Sequence, residues 1–496
     1  MFEKLPKIYN VYFLAMVATM GGMLFGFDIS SMSAIIGTEQ YLTYFNNPAG
    51  IAQGVIGAAL ALGSIAVQTA TTSRGMLIAG RVLNGVTVGI TSSQVPVYLA
   101  EVAKASQRGT IIIIQQLAIE WGILIMYFIG YGCSFITGED SFRTAWSIQF
   151  VPCVFFMIGL PFLPESPRWL AMKDKTEQAI HTLANIQAGG DLNDPYVVAQ
   201  YEEIVTVLAA ERSALKGWRK FVYNGMWRRT VAGFTVQAWQ QLSGANVMTY
   251  YVVYIFAMAG LSGNINLVAG GVQYALFIIF SSIMFFFVDK IGRRTLLVYG
   301  ALAMAFCHFV VGGVMGAHGV DVPEVNGDAN ITMRVSGSPA YTVIAFSYLL
   351  IIIYALTLAP VCWIYAAEVW SLETRATGMG ISAIGNWLFN AAIGLFIPPA
   401  FKNIQYGLFL LFGAFCVLGA IQFFFTYPET CGKTIEEIEV LFSHEGPHAW
   451  QTRKGSDRLA HEVNDVADAQ AKGQAHAELD ALKAKEGVDH KEKAEV

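Results

Sequence analysis

Three ionisable residues stand in stretches that are otherwise almost wholly apolar: Asp28, Arg81 and Glu120. A charge at mid-bilayer costs at least a few kcal/mol even on insertion scales, so such groups are functional candidates by default. Should Asp28 and Arg81 meet in the fold, a proton placed on Asp28 would weaken its attraction to Arg81 and loosen the two segments that carry them. The alternative reading of such a pair is a static ion pair that only holds helices together. Glu120 suits either a proton path or a polar crevice. A second set is uncharged: Gln116, Gln240, Gln241, Asn246, Gln273, Asn386 and Asn390 lie inside apolar runs, together with Trp363 and Trp387. A carboxamide both donates and accepts, which suits a ligand bearing many hydroxyls, and an indole offers a flat face to a ring. Amides in apolar helices also serve as glue between them. A third set lies at the ends of apolar runs: Glu101, Arg108, Glu165, Arg293, Arg294, Glu368, Arg375 and Glu429. The arginines among them are also the residues expected of ordinary positive-inside anchoring.

The elements that must position these groups are membrane spans. Of 496 residues, 55% are hydrophobic and only 14% charged, and mean hydropathy is +0.49. Soluble domains carry about a quarter charged residues, so this chain is solvated largely by lipid. The net charge of −5 gives no sign of a nucleic-acid partner. Cys133, Cys153, Cys307, Cys362, Cys416 and Cys431 lie mostly in apolar runs without metal-ligand spacing and read as packing residues. No cleavable signal peptide follows from the first apolar run. No nucleophile–base constellation or cofactor loop argues for an enzyme, and no cofactor is expected.

A spanning helix needs roughly 20 mostly apolar residues. Eleven candidate runs start near Val11, Gly54, Met76, Thr110, Trp146, Val231, Ile265, Thr295, Tyr341, Ala376 and Tyr406. The polar stretch from Glu165 to Arg229 is rich in Lys and Arg, as are the turns holding Lys104 with Arg108 and Lys290 with Arg293 and Arg294. Such an excess marks the cytoplasmic side. The expected organisation is a first bundle over 1–163, a cytoplasmic linker with short helices over 164–230, a second bundle over 231–427 and a cytoplasmic tail over 428–496. From about Ser443 onward the tail has little apolar surface to bury and reads as disordered. His308 reads as a hydrogen-bonded packing residue, and Asn330-Ile331-Thr332 fits a glycosylation acceptor in an outer loop.

One plan occurs twice. Pro96-Val-Tyr-Leu-Ala-Glu101 is followed by Arg108, and Tyr365-Ala-Ala-Glu368 by Arg375. Each half ends a span in a Pro-Glu pair, Pro164-Glu165 and Pro428-Glu429. Matching halves are a mark of secondary transporters, whose substrate site lies between them near the midplane.

On these residues, with Gly80-Arg81, Gly85 and Gly89, Pro164-Glu165-Ser166-Pro167-Arg168, Gln240-Gln241-Leu242-Ser243-Gly244 and Asp289 with Gly292-Arg293-Arg294, the sequence resembles the sugar porter family of the major facilitator superfamily, particularly its fungal monosaccharide carriers. The resemblance covers Tyr12 to about Leu441. It implies an all-α integral membrane fold of two pseudo-symmetric six-helix bundles working by alternating access. It further implies that Asp28 and Arg81 match the family's acid and arginine, and that Gln116, Gln240, Gln241, Asn246 and Trp363 match its sugar-binding positions. By the same analogy the charged residues at the helix ends form salt bridges between the bundles. The expected activity is proton-coupled uptake of a hexose or pentose at the plasma membrane, with the sugar, the proton and membrane lipid as partners. An uncoupled facilitator and a transporter-like nutrient sensor are the rival readings.

The chain departs from the family at three places. Gln273 stands where many relatives have Asn, and Ala359-Pro360-Val361-Cys362-Trp363 replaces the commoner Gly-Pro-x-Pro-Trp. The first half also has no counterpart of the Asp289–Arg294 loop. Gly54 to Ala70 reads instead as the start of the second helix joined directly to the end of the third, about 25 Å of helix at 1.5 Å per residue. A single crossing there would invert the next helix unless the amino terminus lay outside. A truncated reading of the gene or transcript is favoured over a re-entrant hairpin, and Lys4 and Lys7 argue against a flipped terminus.

Overall fold

The computed structural model describes residues 6–35, 72–103, 108–213, 218–222, 226–326, 330–371, 374–433, 435–442 and 446–455. It divides into two compact units, one of Met1–Pro164 with Ala214–Gly455 and one of Glu165–Ser213 with Ser456–Val496. In the first unit, α1 (Val11–Ile35), α2 (Arg74–Val102), α3 (Arg108–Cys133), α4 (Asp140–Ser147) and α5 (Phe150–Gly159) form the first half. In the second unit, α6 (Pro167–Met172), α7 (Thr176–Gln187) and α8 (Pro195–Ser213) pack around small cores that include Leu170, Ala179 and Leu208, and Leu183, Ala184 and Val197. The second half of the first unit is built of α9 (Met226–Leu242), α10 (Ala245–Tyr250), α11 (Val252–Met258), α12 (Gly263–Phe285), α13 (Arg293–His318), α14 (Ser338–Leu356), α15 (Leu358–Glu368), α16 (Arg375–Asn403), α17 (Gly407–Thr426) and α18 (Ile435–Phe442). A two-residue ladder pairs Val320–Asp321 with Met333–Arg334.

Among the described residues seven helices are long and apolar enough to cross a membrane, and α1 adds a shorter apolar stretch, Val11–Leu24. The protein is thus a multi-pass, all-α membrane protein. The run from Gly54 to Ala70 lies outside the described residues; the other ten fall on described helices.

Local chemistry sets where these helices begin. Asn10 caps α1, its side-chain oxygen accepting from the N–H groups of Tyr12 at 3.0 Å and Phe13 at 3.2 Å. Ser73 does the same for α2 through the N–H of Met76. α1 and α3 cross at glycines. A Cβ built on Gly26 would stand 1.9 Å from the Ile119 carbonyl oxygen, and one on Gly122 2.5 Å from that of Met23. Small residues let helix backbones approach this closely in lipid, where there is no hydrophobic drive between helices.

Two spans that read as continuous are broken. The Val231 run stops at Leu242 and restarts at Ala245, with Gly244 between them at φ +76°, a conformation glycine adopts without steric cost. The Tyr341 run breaks between α14 and α15 at Thr357, with φ −132° and ψ −91°. Pro360 follows at once and has no N–H to offer the Leu356 carbonyl.

The described helices also fix direction. The start of α1 (Ala15, Ala18), the end of α2 (Val95, Leu99) and the start of α3 (Ile111) share one apolar cluster with Leu163. Lys7 donates to the carbonyls of Pro161 and Leu163, and the Tyr98 hydroxyl to that of Pro164. The amino terminus therefore lies on the same face as the end of the first half at Pro161–Pro164, and α1 and α2 run antiparallel.

Two other expectations are corrected. The tail is ordered over 446–455: the Glu429 N–H donates to the Thr452 hydroxyl at 2.8 Å and the Gly455 N–H to the Cys431 carbonyl at 3.1 Å. Asn330 is buried at 1% exposure, so the folded loop does not present it as a glycosylation acceptor.

Candidate functional site

The amides of the second half converge. On α9, Gln237 and Gln241 are one turn apart; on α16, so are Asn386 and Asn390, and the two ladders face each other. Asn386 donates to the side-chain oxygens of Gln237 at 2.7 Å and Gln240 at 3.1 Å, and accepts from Gln241 at 3.0 Å. Gln241 in turn accepts from Asn390 at 3.3 Å and from Asn246 across the Gly244 break. Asn390 also donates to the Tyr250 hydroxyl at 2.9 Å. Gln240 donates to the carbonyls of Leu358 and Ala359, next to the α14–α15 break, and Gln237 to that of Cys362. Five of the residues expected to meet a ligand (Gln240, Gln241, Asn246, Asn386 and Asn390) are thereby brought together.

The remaining expected residues have different surroundings. Gln273 donates to the Met248 carbonyl at 2.7 Å, on the short helix α10 that also carries Asn246 and Tyr250. Trp387 donates from α16 to Ser92 on α2 at 3.1 Å, a bond between the halves. Trp363 is buried on α15, beside Cys362. Gln116 does not bond to the amide cluster; it donates to Glu120 Oε1 at 2.9 Å. The same oxygen accepts from Ser281 of α12 at 2.7 Å, so Glu120 also joins the halves. Among the described residues expected at the site, three have a buried side-chain oxygen that accepts no hydrogen bond: Gln273 Oε1, Asn390 Oδ1 and Glu120 Oε2. Each keeps the capacity to accept a hydrogen bond.

Arg81 is buried on α2 at 1% exposure. The Asp28 side chain lies outside the described residues, although its backbone continues α1. Sequence reasoning missed Gln237, Tyr250 and Ser281. Gln237 was legible from its one-turn spacing to Gln241; Tyr250 and Ser281 carry no signal that separates them from ordinary helix residues.

At the start of α13, Arg293 pairs with Asp289 at 2.8 Å and Glu368 at 3.1 Å. Glu429 caps α13 from a distant part of the chain, accepting from the N–H groups of Arg293 at 2.7 Å and Arg294 at 3.1 Å. Thr430 donates to Glu368 at 2.7 Å, and Arg294 to the Phe424 carbonyl. Burial pushes the Cys431 thiol up, against the pull of the neighbouring Arg293 guanidinium. These bonds all lie within the second half, so Arg293, Arg294, Glu368 and Glu429 bind one another there rather than across the bundles. Arg375 is buried at the start of α16 and Glu101 half-buried at the end of α2. The Arg108 side chain lies outside the described residues, and Glu165 begins the second compact unit.

The family described as sugar (and other) transporter matches residues 49–442. The chain belongs to this family. The transporter is 40% identical over 490 residues to a high-affinity glucose transporter of Kluyveromyces lactis, covering 91% of this chain and 88% of that one. It is 36% identical over 511 residues to an MFS glucose transporter of Aspergillus flavus, covering 94% and 96%. Among solved structures, the proton:xylose symporter XylE bound to 6-bromo-6-deoxy-D-glucose superposes with a TM-score of 0.71 at 24% identity, over 88% of this chain and 99% of that one. The shared fold is that of the major facilitator superfamily.

Proposed function

We propose that the transporter carries a monosaccharide, hexose or pentose, across the plasma membrane by alternating access, with a proton moving in the same direction. The observation that carries this reading is the facing pair of amide ladders, Gln237 and Gln241 against Asn386 and Asn390, with Gln240 and Asn246 joined to them. Each amide exchanges a partner amide for a sugar hydroxyl without losing its hydrogen-bond count, because both groups donate and accept. The bare oxygens of Asn390 and Gln273 accept two hydroxyls more. The indoles of Trp363 and Trp387 supply the apolar face for the ring. The high-affinity glucose transporters among the relatives support this substrate class.

Proton coupling falls to Asp28, Arg81 and Glu120. Protonation of Asp28 loosens its hold on Arg81, and Glu120 changes its bond across the halves. The cytoplasmic cluster of Arg293, Glu368 and Glu429 keeps the second half rigid while the halves move. The absent loop of the first half favours a second reading, a chain that binds sugar but does not complete the transport cycle.

Uptake of labelled glucose and xylose, in cells lacking their own sugar carriers and at acid pH, tests the proposal. Uptake abolished by a protonophore is expected. Uptake indifferent to it would remove proton coupling. Absent uptake with protein at the surface would favour the second reading, which restoration of the loop and its helices would then reverse.

A further inference from the structure

The seam between α3 and α12 joins the two halves by more than packing. Toward the outer side the Tyr127 hydroxyl donates to the Leu267 carbonyl at 2.9 Å. Fourteen residues further along α12 lies Ser281, fully buried. Its hydroxyl has one proton to give and two acceptors within range: Glu120 Oε1 in the first half at 2.7 Å, and the Ala355 carbonyl in the second at 3.5 Å. Ala355 stands two residues before the break at Thr357. On the other side of that break, the carbonyls of Leu358 and Ala359 are held by Gln240, a member of the amide cluster.

We propose that Ser281 is a positioning residue that reports the protonation state of Glu120 to the α14–α15 break, and through it to the sugar-binding amides. This rests on the carrier reading above and deepens it. An ionised carboxylate draws the serine proton strongly, because hydrogen bonds to charged acceptors are roughly twice as strong as neutral ones. Ser281 then spans the halves and leaves the Ala355 carbonyl. A proton arriving from the outer water settles on the bare Oε2, and Oε1 becomes a weaker, neutral acceptor. The serine proton then turns to Ala355, and the break takes up the arrangement that Gln240 stabilises from its far side. One hydroxyl proton thus chooses between an inter-half bond and a bond to the hinge, a two-state element of the kind coupling requires.

Other titratable side chains lie around Glu120. Tyr354 of α14 interacts with it electrostatically, as well as with Cys362 of α15 and Tyr250 of α10. From α3 itself Gln116 donates to it. α1 packs along α3 and carries Asp28, a second acid whose own titration the test must separate.

Isothermal titration of glucose into the purified full-length chain across a range of pH makes the test. Wild-type affinity is expected to weaken as pH rises. Glu120→Gln and Ser281→Ala should flatten that dependence, Ser281→Thr should restore it, and Gln241→Ala should weaken binding at every pH while keeping the slope. If Ser281→Ala does not fold, Ser281→Cys, a weaker donor of similar size, carries the same comparison. A Ser281→Ala profile with the wild-type slope would overturn the role of Ser281. A slope kept in Glu120→Gln assigns the titration to Asp28 and overturns it equally. Wild-type binding without any slope removes the Glu120 switch and leaves the carrier intact, whereas no glucose binding at any pH removes the carrier reading itself.

Discussion

Asn386 donates two amide hydrogen bonds and accepts a third, which makes it the hub of the cluster. An intramolecular hydrogen bond contributes about 1 kcal/mol net, and leaving a buried partner unsatisfied costs about 1–3 kcal/mol. Asn386→Ala strands polar atoms of Gln237, Gln240 and Gln241 together, so the half-saturation concentration for glucose should rise about tenfold or more, since tenfold is 1.4 kcal/mol. Competition uptake at several glucose concentrations measures it, and an unchanged half-saturation would contradict the placement of the site. At this scale the sequence was informative wherever polarity was out of place. An amide, an acid or an arginine in an apolar run is visible without coordinates, so Gln240, Gln241, Asn246, Asn386, Asn390 and Glu120 were legible. Partners were not. Gln116 was grouped with the ligand amides, but one helical turn sets it beside Glu120. Ser281 gave no warning, since a serine in a spanning helix commonly bonds back to its own backbone.

The helices themselves follow from length and apolarity, and their interruptions from smaller signals. Gly244 and Pro360 stand in the sequence as breakers, yet hydrophobic runs continue through both, so each reads as one span until backbone angles separate α9 from α10 and α14 from α15. The end of α13 shows a similar limit. Glu429 repeats the Glu165 pattern, which suggested a bond between bundles. Its carboxylate instead satisfies the first N–H groups of α13, 136 and 135 residues away in sequence. Charge at a helix end does not reveal which half supplies its partner. Glu429→Ala should strip that cap and cost about 1–3 kcal/mol through buried, unsatisfied N–H groups. Loss of thermal stability in detergent with glucose affinity retained is the expected result; a variant as stable as wild type would mean that the cap contributes nothing.

For the whole molecule, the duplicated motifs and the alternation of basic loops suggested two related halves with their cytoplasmic ends marked, and the family match covers residues 49–442, parts of both. The first half was harder to orient, because its missing loop left the direction of the first helix dependent on two lysines. One of them contributes position as well as charge: Lys7 reaches the carbonyls of Pro161 and Leu163, which puts the amino terminus beside the end of the first half. The bonds between halves, Trp387 to Ser92 and Ser281 to Glu120, must change if the site is to open to each side in turn. Under the proposed alternating access these bonds break and re-form around the amide cluster. Reconstitution into liposomes under an inward-directed proton gradient tests that claim most directly, comparing labelled glucose accumulated by the wild-type chain and by Gln241→Ala. The account predicts accumulation by the wild type that collapses with the gradient, and at least a tenfold lower rate for the variant, the equivalent of one lost charge-free bond and its stranded partner. Equal accumulation by both would contradict it.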